Sequence, residues 1–198
     1  MRTRLDFFNE HAESWGAGWD IVGMQERLAR ELVEFGIASG ESVLDLGCGT
    51  GILLHVLLEH LSRKGQIHAV DFSPAMLEVA GHYFTDSRLH FHLADGAAIP
   101  LPDGSIDTVL CFSAFPHFVD RGPVLHELKR LLHSGGHLHI WHHEDSAVVN
   151  ARHAVIDPTV AHDHLEHVAE LGEKAVQCGF IVETALENKN LYHLALRA

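Results

Sequence analysis

Three glycines at alternate positions, Gly47, Gly49 and Gly51, follow the apolar run Val43-Leu44-Asp45-Leu46, with only Cys48 and Thr50 between them. A short apolar run ending in glycines predicts a buried strand that enters a tight turn. Glycine lacks a Cβ and adopts positive φ without strain, so a ligand can approach this turn down to the main chain. The spacing departs from the dinucleotide fingerprint G-x-G-x-x-G, in which a pyrophosphate sits on a helix N-terminus. Here the third glycine comes one residue early, and Asp45 stands two residues before the first. A carboxylate there opposes a phosphate and suits a ligand bearing an ammonium group, which disfavours a nicotinamide oxidoreductase.

Strand and helix signals alternate along the rest of the chain. Leu28, Leu32, Val33 and Phe35 recur at helical spacing within 24–35, and Gly36 supplies a stop. Beyond Gly51 a second helical face carries Ile52, Leu53, Val56 and Leu57, and a strand over 67–71 follows. Strand, helix, strand in that order implies a right-handed parallel crossover. Ser73 and Pro74 form a helix start, the serine as cap and the proline at the first helical position. Further strands are predicted over 90–94, 106–112 and 137–141, with a helix over 124–132. Residues 180–186 and 191–196 read as a hairpin across the polar turn 187–190. These elements predict an α/β, Rossmann-like, doubly wound sheet, mostly parallel with an antiparallel C-terminal hairpin. Residues 1–198 are expected to form one domain, with 1–36 as N-terminal lid and helix and 142–162 as a histidine-rich lid insertion.

Charge narrows the function classes. The formal net charge of -13 offers no basic stripe to a phosphate backbone, so nucleic acid is not the expected partner. Cys48, Cys111 and Cys178 form no C-x-x-C pair, which argues against a disulfide framework or cysteine zinc site and points to a reducing cytoplasm. No segment approaches the ~18 uninterrupted apolar residues of a membrane span, and residues 1–6 lack the apolar stretch of a signal peptide. A small molecule is the expected substrate.

In an open α/β sheet, ligands bind outside the carboxyl ends of the strands. Asp71 and Phe72 end the second strand, where an acid can accept both ribose hydroxyls or simply assist the Ser73 cap. Asp95-Gly96 ends the third, where the residues by themselves read as a plain turn. Cys111-Phe112-Ser113 ends the fourth. Together Asp45-x-Gly-x-Gly-x-Gly, Ala69-Val70-Asp71, Leu93-Ala94-Asp95 and Leu128 to Gly136 resemble the class I S-adenosylmethionine-dependent methyltransferases. The likeness is to the small single-domain type related to ubiquinone and menaquinone C-methyltransferases, and covers about residues 7 to 141. It implies that Asp45, Gly47, Cys48, Gly49 and Gly51 hold the amino acid end of S-adenosylmethionine. Asp71 and Phe72 would then serve the ribose, Asp95 and Gly96 the adenine, and Phe112 the floor beneath the methionine part. The aromatic-rich segment 7–15 resembles the family's lid over the cofactor, with a helix that merely pads the sheet as the alternative.

Methyl transfer from a sulfonium needs alignment and exclusion of water more than any fixed catalytic residue. Where the nucleophile carries a proton, histidine is a suitable base. His117, after the fourth strand, and His143, after the fifth, are the candidates; for His117, lid packing is the competing role. Nineteen histidines are the compositional oddity. His142, His143, His153, His162 and Asp163 lie in or beside the long connection after the fifth strand, and long connections are usually lids or binding loops. Imidazole and carboxylate together make these five a candidate site for a divalent transition metal. Asp163 with Glu166 also reads as a capping-box-like start of the next helix. A non-catalytic sensor of S-adenosylmethionine or metal on the same fold remains the alternative function. Without a cysteine cluster, arsenite is a poor acceptor candidate.

Overall fold

The computed structural model describes residues 2–198. After α1 (Arg4–His11) and α2 (Ile21–Glu34), strand and helix alternate: β1 (Ser42–Leu46), α3 (Ile52–His60), β2 (Gln66–Asp71), α4 (Pro74–Tyr83), β3 (Leu89–Leu93). Then follow β4 (Ile106–Phe112), α5 (Arg121–Leu131), β5 (Leu132–His142), α6 (Ser146–Ile156), α7 (Val168–Gln177), β6 (Ile181–Asn188) and β7 (Leu191–Arg197). The seven strands form one sheet in the order β3-β2-β1-β4-β5-β7-β6. Neighbours from β3 through β5 are parallel, and β7 is antiparallel to both β5 and β6. The order reverses at β1 and β4, so their carboxyl ends open the crevice in which such sheets bind ligands.

The central strands are apolar on both faces because helices cover both. Val43 faces a core shared with Leu28 and Leu32 of α2 and with Leu53, Leu54 and Leu57 of α3. Its neighbour Leu44 faces the opposite core, with Leu125 and Leu128 of α5 and Leu171 of α7. Val109 and Leu110 of β4 divide between the same two cores. Alternation within a strand that is hydrophobic throughout is the signature of a sheet buried on both sides. At a third, smaller cluster, Phe7 and Phe8 of α1 pack with Met76 of α4 and Val160 over the carboxyl edge of the sheet.

Several element boundaries differ from the sequence reading. α2 begins at Ile21, earlier than its apolar face suggests, because the Asp20 side chain caps it by accepting from Gly23 N at 3.0 Å. β5 begins at Leu132, and the pairing shifts between Ile106 and Thr108, so Ser134-Gly135-Gly136 is an irregular stretch of strand rather than a separate turn. β6 runs on to Asn188, leaving only Lys189 and Asn190 between the hairpin strands. α7 does not start at Asp163: it starts at Val168, capped by the His167 side chain. Asp163 is turned inward to Arg4 and His117 and is lost to the helix as a cap.

Candidate active site

The glycine turn joins β1 to α3, and its glycines answer different local demands. At Gly47 (φ +74°) an added Cβ would lie 2.5 Å from the Ala114 Cβ, so the β4 loop closes directly on the turn. At Gly51 (φ +97°) an added Cβ would lie 2.6 Å from the Phe84 ring. Gly49 (φ +52°) has only Trp15 Nε1, at 3.9 Å, near the place of its missing Cβ. The turn is therefore packed at both ends and open in the middle. Asp71 braces it, accepting from Gly49 N at 2.9 Å and Ser73 N at 2.9 Å. Ser113, at the end of β4, holds a left-handed φ of 54°, the one non-glycine residue among those described to do so, and its N–H is held by Trp141 O. Such strain concentrates where a backbone is shaped for a ligand.

Above these strand ends lies a cavity of about 1590 Å³. Its wall includes Gly47, Cys48, Gly49, Gly51, Asp71, Phe72, Asp95, Gly96 and Phe112. Asp45 does not reach this wall: it lies buried behind the turn, with Oδ2 free of any hydrogen-bond partner. Burial, reinforced by the Asp71 charge, raises its carboxyl to about 8. Burial likewise raises Asp71. Two carboxyls strained toward neutrality beneath a backbone-only turn fit a ligand with positive charge, since a cation would let them ionise. Asp95 is exposed and accepts from Ala97 N at 2.8 Å, while Gly96 is buried because a Cβ there would strike Phe118 at 2.7 Å.

Histidines share this wall. His117, His142, His143 and His153 all line the cavity. His117 Nδ1 lies 2.7 Å from Asp163 Oδ2, and Arg4 Nε holds both oxygens of that carboxylate at 3.1 and 3.0 Å. Burial raises the Asp163 carboxyl, but the bonds from His117 and Arg4 outweigh it and hold the group below its usual range. His143 Nε2 lies 3.0 Å from Glu31 Oε2, which also accepts from Trp141 Nε1 at 3.0 Å. His153 donates from Nδ1 to the Asp163 carbonyl at 2.8 Å. His142 is buried without a partner on Nε2, and desolvation pushes it down to about 3.

This arrangement does not support the metal assignment. Among the described residues no group of three or more His, Cys, Asp or Glu side chains is arranged to hold a metal ion. His143 is bonded to Glu31, His153 to a carbonyl, and Asp163 to Arg4, while His162 is exposed and off the cavity wall. Asn150 and His153 do share a face of α6, as their spacing predicts. They use it to hold the 163–165 segment, Asn150 through both N–H and C=O of Leu165. Other histidines belong to the sheet itself: Phe35 stacks on His139 and His193, whose rings meet at 3.1 Å on β5 and β7.

Two site residues escaped the sequence reading. Glu31 was legible in principle, since a carboxylate stands inside the apolar stripe Leu28, Leu32, Phe35. Arg4 carried no local signal, its partner lying 159 residues away.

Comparison with known proteins agrees with this geometry. Residues 44–140 match the family model described as a methyltransferase domain. A demethylmenaquinone methyltransferase of Thermus thermophilus is 34% identical over 119 residues, covering 59% of this chain and 54% of that protein. A malonyl-[acyl-carrier protein] O-methyltransferase of a Marinomonas species is 36% identical over 139 residues, covering 70% and 49%. The chain spans less than two thirds of the length of the curated relatives it matches. Among solved structures, a putative S-adenosylmethionine-dependent methyltransferase of Methanococcus maripaludis shares the fold with a TM-score of 0.74 at 18% identity, over 95% of this chain and 92% of that one. Residues 44–140 thus carry a methyltransferase domain, set in a seven-stranded sheet whose fold is shared with S-adenosylmethionine-dependent methyltransferases.

Proposed function

We propose that this protein transfers the methyl group of S-adenosylmethionine to a small molecule held beside the histidines of the cavity. The observation that carries the reading is the joining, in the wall of one cavity, of the glycine turn, Asp71 and Asp95 with His117 and His143. Its volume exceeds the roughly 300–1,000 Å³ of a pocket for one small ligand, as a cofactor and an acceptor together require. Gly49 leaves main chain bare for the amino acid part, Asp71 has lone pairs to spare for ribose hydroxyls, and Gly96 with Asp95 serves the adenine. Asp45 acts from behind the turn, through its charge rather than by contact. Bound S-adenosylmethionine would supply an already activated methyl group, so the chain's own contribution is alignment and a dry site.

His117 is the better-placed base, because its ring is held by Asp163 and packs on Phe8, which also meets Phe72 of the cavity wall, whereas His143 is bonded to Glu31 on the α2 side against Phe112. Residues 1–36 and 142–162 act as covers over the site, and the whole chain works as one domain. Relatives named as a ubiquinone/menaquinone biosynthesis C-methyltransferase and a malonyl-[acyl-carrier protein] O-methyltransferase leave both carbon and oxygen acceptors open here. Three free cysteines suit a reducing compartment such as the cytoplasm. The test is incubation with methyl-labelled S-adenosylmethionine and a panel of hydroxylated and enolisable small molecules. Labelled product with stoichiometric S-adenosylhomocysteine supports transfer. Tight cofactor binding with no S-adenosylhomocysteine in the presence of a full metabolite extract would favour the sensor reading.

A further inference from the structure

We propose that Asp163 and Arg4 are positioning residues of the reaction: Arg4 anchors the Asp163 carboxylate, Asp163 takes the Nδ1–H of His117, and His117 presents a bare Nε2 to an acceptor that sheds a proton. This inference rests on the methyl-transfer reading above and deepens it by naming the acceptor chemistry.

Geometry carries the argument. The Asp163 side chain is 1% exposed and its two oxygens are engaged by Arg4 and His117 alone. A buried carboxylate bonded to a guanidinium is ionised and can only accept, so the ring nitrogen 2.7 Å away must carry a hydrogen. A neutral His117 then has its proton on Nδ1 and a lone pair on Nε2. Among the described residues nothing bonds to Nε2, and the ring lines the cavity, packed edge-on against Phe8 at 4.9 Å between centroids. The tautomer is thus fixed by a partner on the far side of the ring, the arrangement that orients a histidine for proton transfer.

Three separate elements meet in this contact. Arg4 comes from α1, His117 from the loop after β4, and Asp163 from the segment after α6, whose carbonyl His153 also holds. α1 is docked by further bonds, Asn9 Oδ1 accepting from Ser73 Oγ at 2.7 Å and Arg2 pairing with Asp157 at 2.5 Å. The helix that covers the cavity therefore also completes the base. An acceptor hydroxyl fits this device: its oxygen forms the new bond to the methyl carbon, the carbon–sulfur bond breaks with its electron pair left on sulfur, and the hydroxyl proton passes to His117 Nε2. Asp163 balances the imidazolium that results. An acceptor without a proton to lose makes no use of it.

The tautomer is directly observable in histidine-labelled protein by ¹⁵N correlation spectroscopy at neutral pH with S-adenosylhomocysteine bound, His117 being assigned from His117→Asn. The expected spectrum shows a protonated Nδ1 and a bare Nε2. Asp163→Asn should convert His117 to a mixture rich in the Nε2–H form, because Arg4 holds the amide oxygen and turns the amide N–H to the ring, and Asp163→Glu should keep the wild-type pattern. Arg4→Gln leaves the carboxylate to accept from the ring, so it should keep the Nδ1–H and broaden its signal as the carboxylate loses its anchor; an unbroadened signal would overturn the part given to Arg4. S-adenosylhomocysteine affinity within about threefold of wild type shows that each variant is folded, and Asp163→Ala carries the test if Asp163→Asn does not fold. His117 protonated on Nε2 in the wild type, or a wild-type pattern in the Asp163 variant that removes the carboxylate, would overturn the proposal. Failure of wild-type protein to bind S-adenosylhomocysteine would instead overturn the methyl-transfer reading itself.

Discussion

Single side chains decide how the cavity discriminates charge and protons. Asp45 and Asp71 are both lifted by burial, Asp45 to about 8, so near neutral pH the empty site holds at least one carboxyl in its acid form. A bound ammonium lowers that value, and the proton leaves on binding. S-adenosylmethionine affinity should therefore rise between pH 6 and 8, by up to about tenfold per unit, since one linked proton gives that slope. Calorimetry in buffers of different ionisation heat would register the released proton; none released, with a flat affinity, contradicts the linkage. Gly47→Ala should cost roughly 1–3 kcal/mol of stability, because it combines left-handed backbone with the contact on Ala114. Its unfolding midpoint in urea measures this. His117→Asn should leave cofactor affinity within a few-fold and lower kcat by about 10²–10⁴, the usual contribution of a general base. Parallel loss of both would reduce His117 to a packing residue. Which residues meet in this site was only half legible. The glycine turn, Asp71 and Gly96 announce themselves because a strand end and a turn leave local marks. Arg4, Glu31 and the inward role of Asp163 depend on contacts between distant segments, which no local pattern records.

Helices and strands show the same division. Ser73 and Pro74 predict the start of α4 because a cap and a first-turn proline act within one turn, and the structure has both, Ser73 Oγ accepting from Met76 N. The start of α7 was misplaced for the complementary reason: the sequence offers Asp163 as a cap, and half-buried Arg4 together with His117 takes its carboxylate instead. β5 was read as too short because Gly135 and Gly136 look like a turn, whereas pairing with β4 and β7 holds this irregular stretch at the sheet. α1 is the element whose behaviour tests the account. It rests on an aromatic cluster and a few polar bonds rather than on either main core. Amide hydrogen exchange in α1 should slow on addition of S-adenosylhomocysteine by more than in β4, which is buried on both faces. Arg4→Gln should remove much of that protection; equal exchange in α1 with and without ligand would show that the helix does not close over the site.

Across the whole molecule, buried neutral histidines set the response to acid. Desolvation holds His139 and His142 at about 3 and His193 at about 4. Their folded values lie below the unfolded value near 6.5, so the unfolded chain binds more protons, and stability falls as pH drops from about 6.5 toward 4. Each such group contributes about 1.4 kcal/mol per pH unit well inside that window. Asp45 and Asp71 work in the opposite sense, their raised values favouring the folded state as pH falls below about 8, but they are outnumbered. Urea denaturation should therefore give lower stability at pH 5 than at pH 7, and an unchanged or higher value would show these rings to be solvated. Part of the histidine excess thus divides between the sheet, where rings such as His139 and His193 stack as planes, and the cavity wall, while others such as His162 are exposed. Strand position separates the two populations in part, because His139 lies within the strand expected over 137–141 and His142 beyond its carboxyl end.

The most direct measurement is titration calorimetry of the purified protein with S-adenosylhomocysteine, repeated on Asp71→Ala. One saturable site per chain, weakened roughly 10–100-fold by loss of a charge-assisted hydrogen-bond acceptor, is the predicted result. No saturable binding, or binding that ignores the change at Asp71, would contradict the assignment of this cavity to the methyl donor.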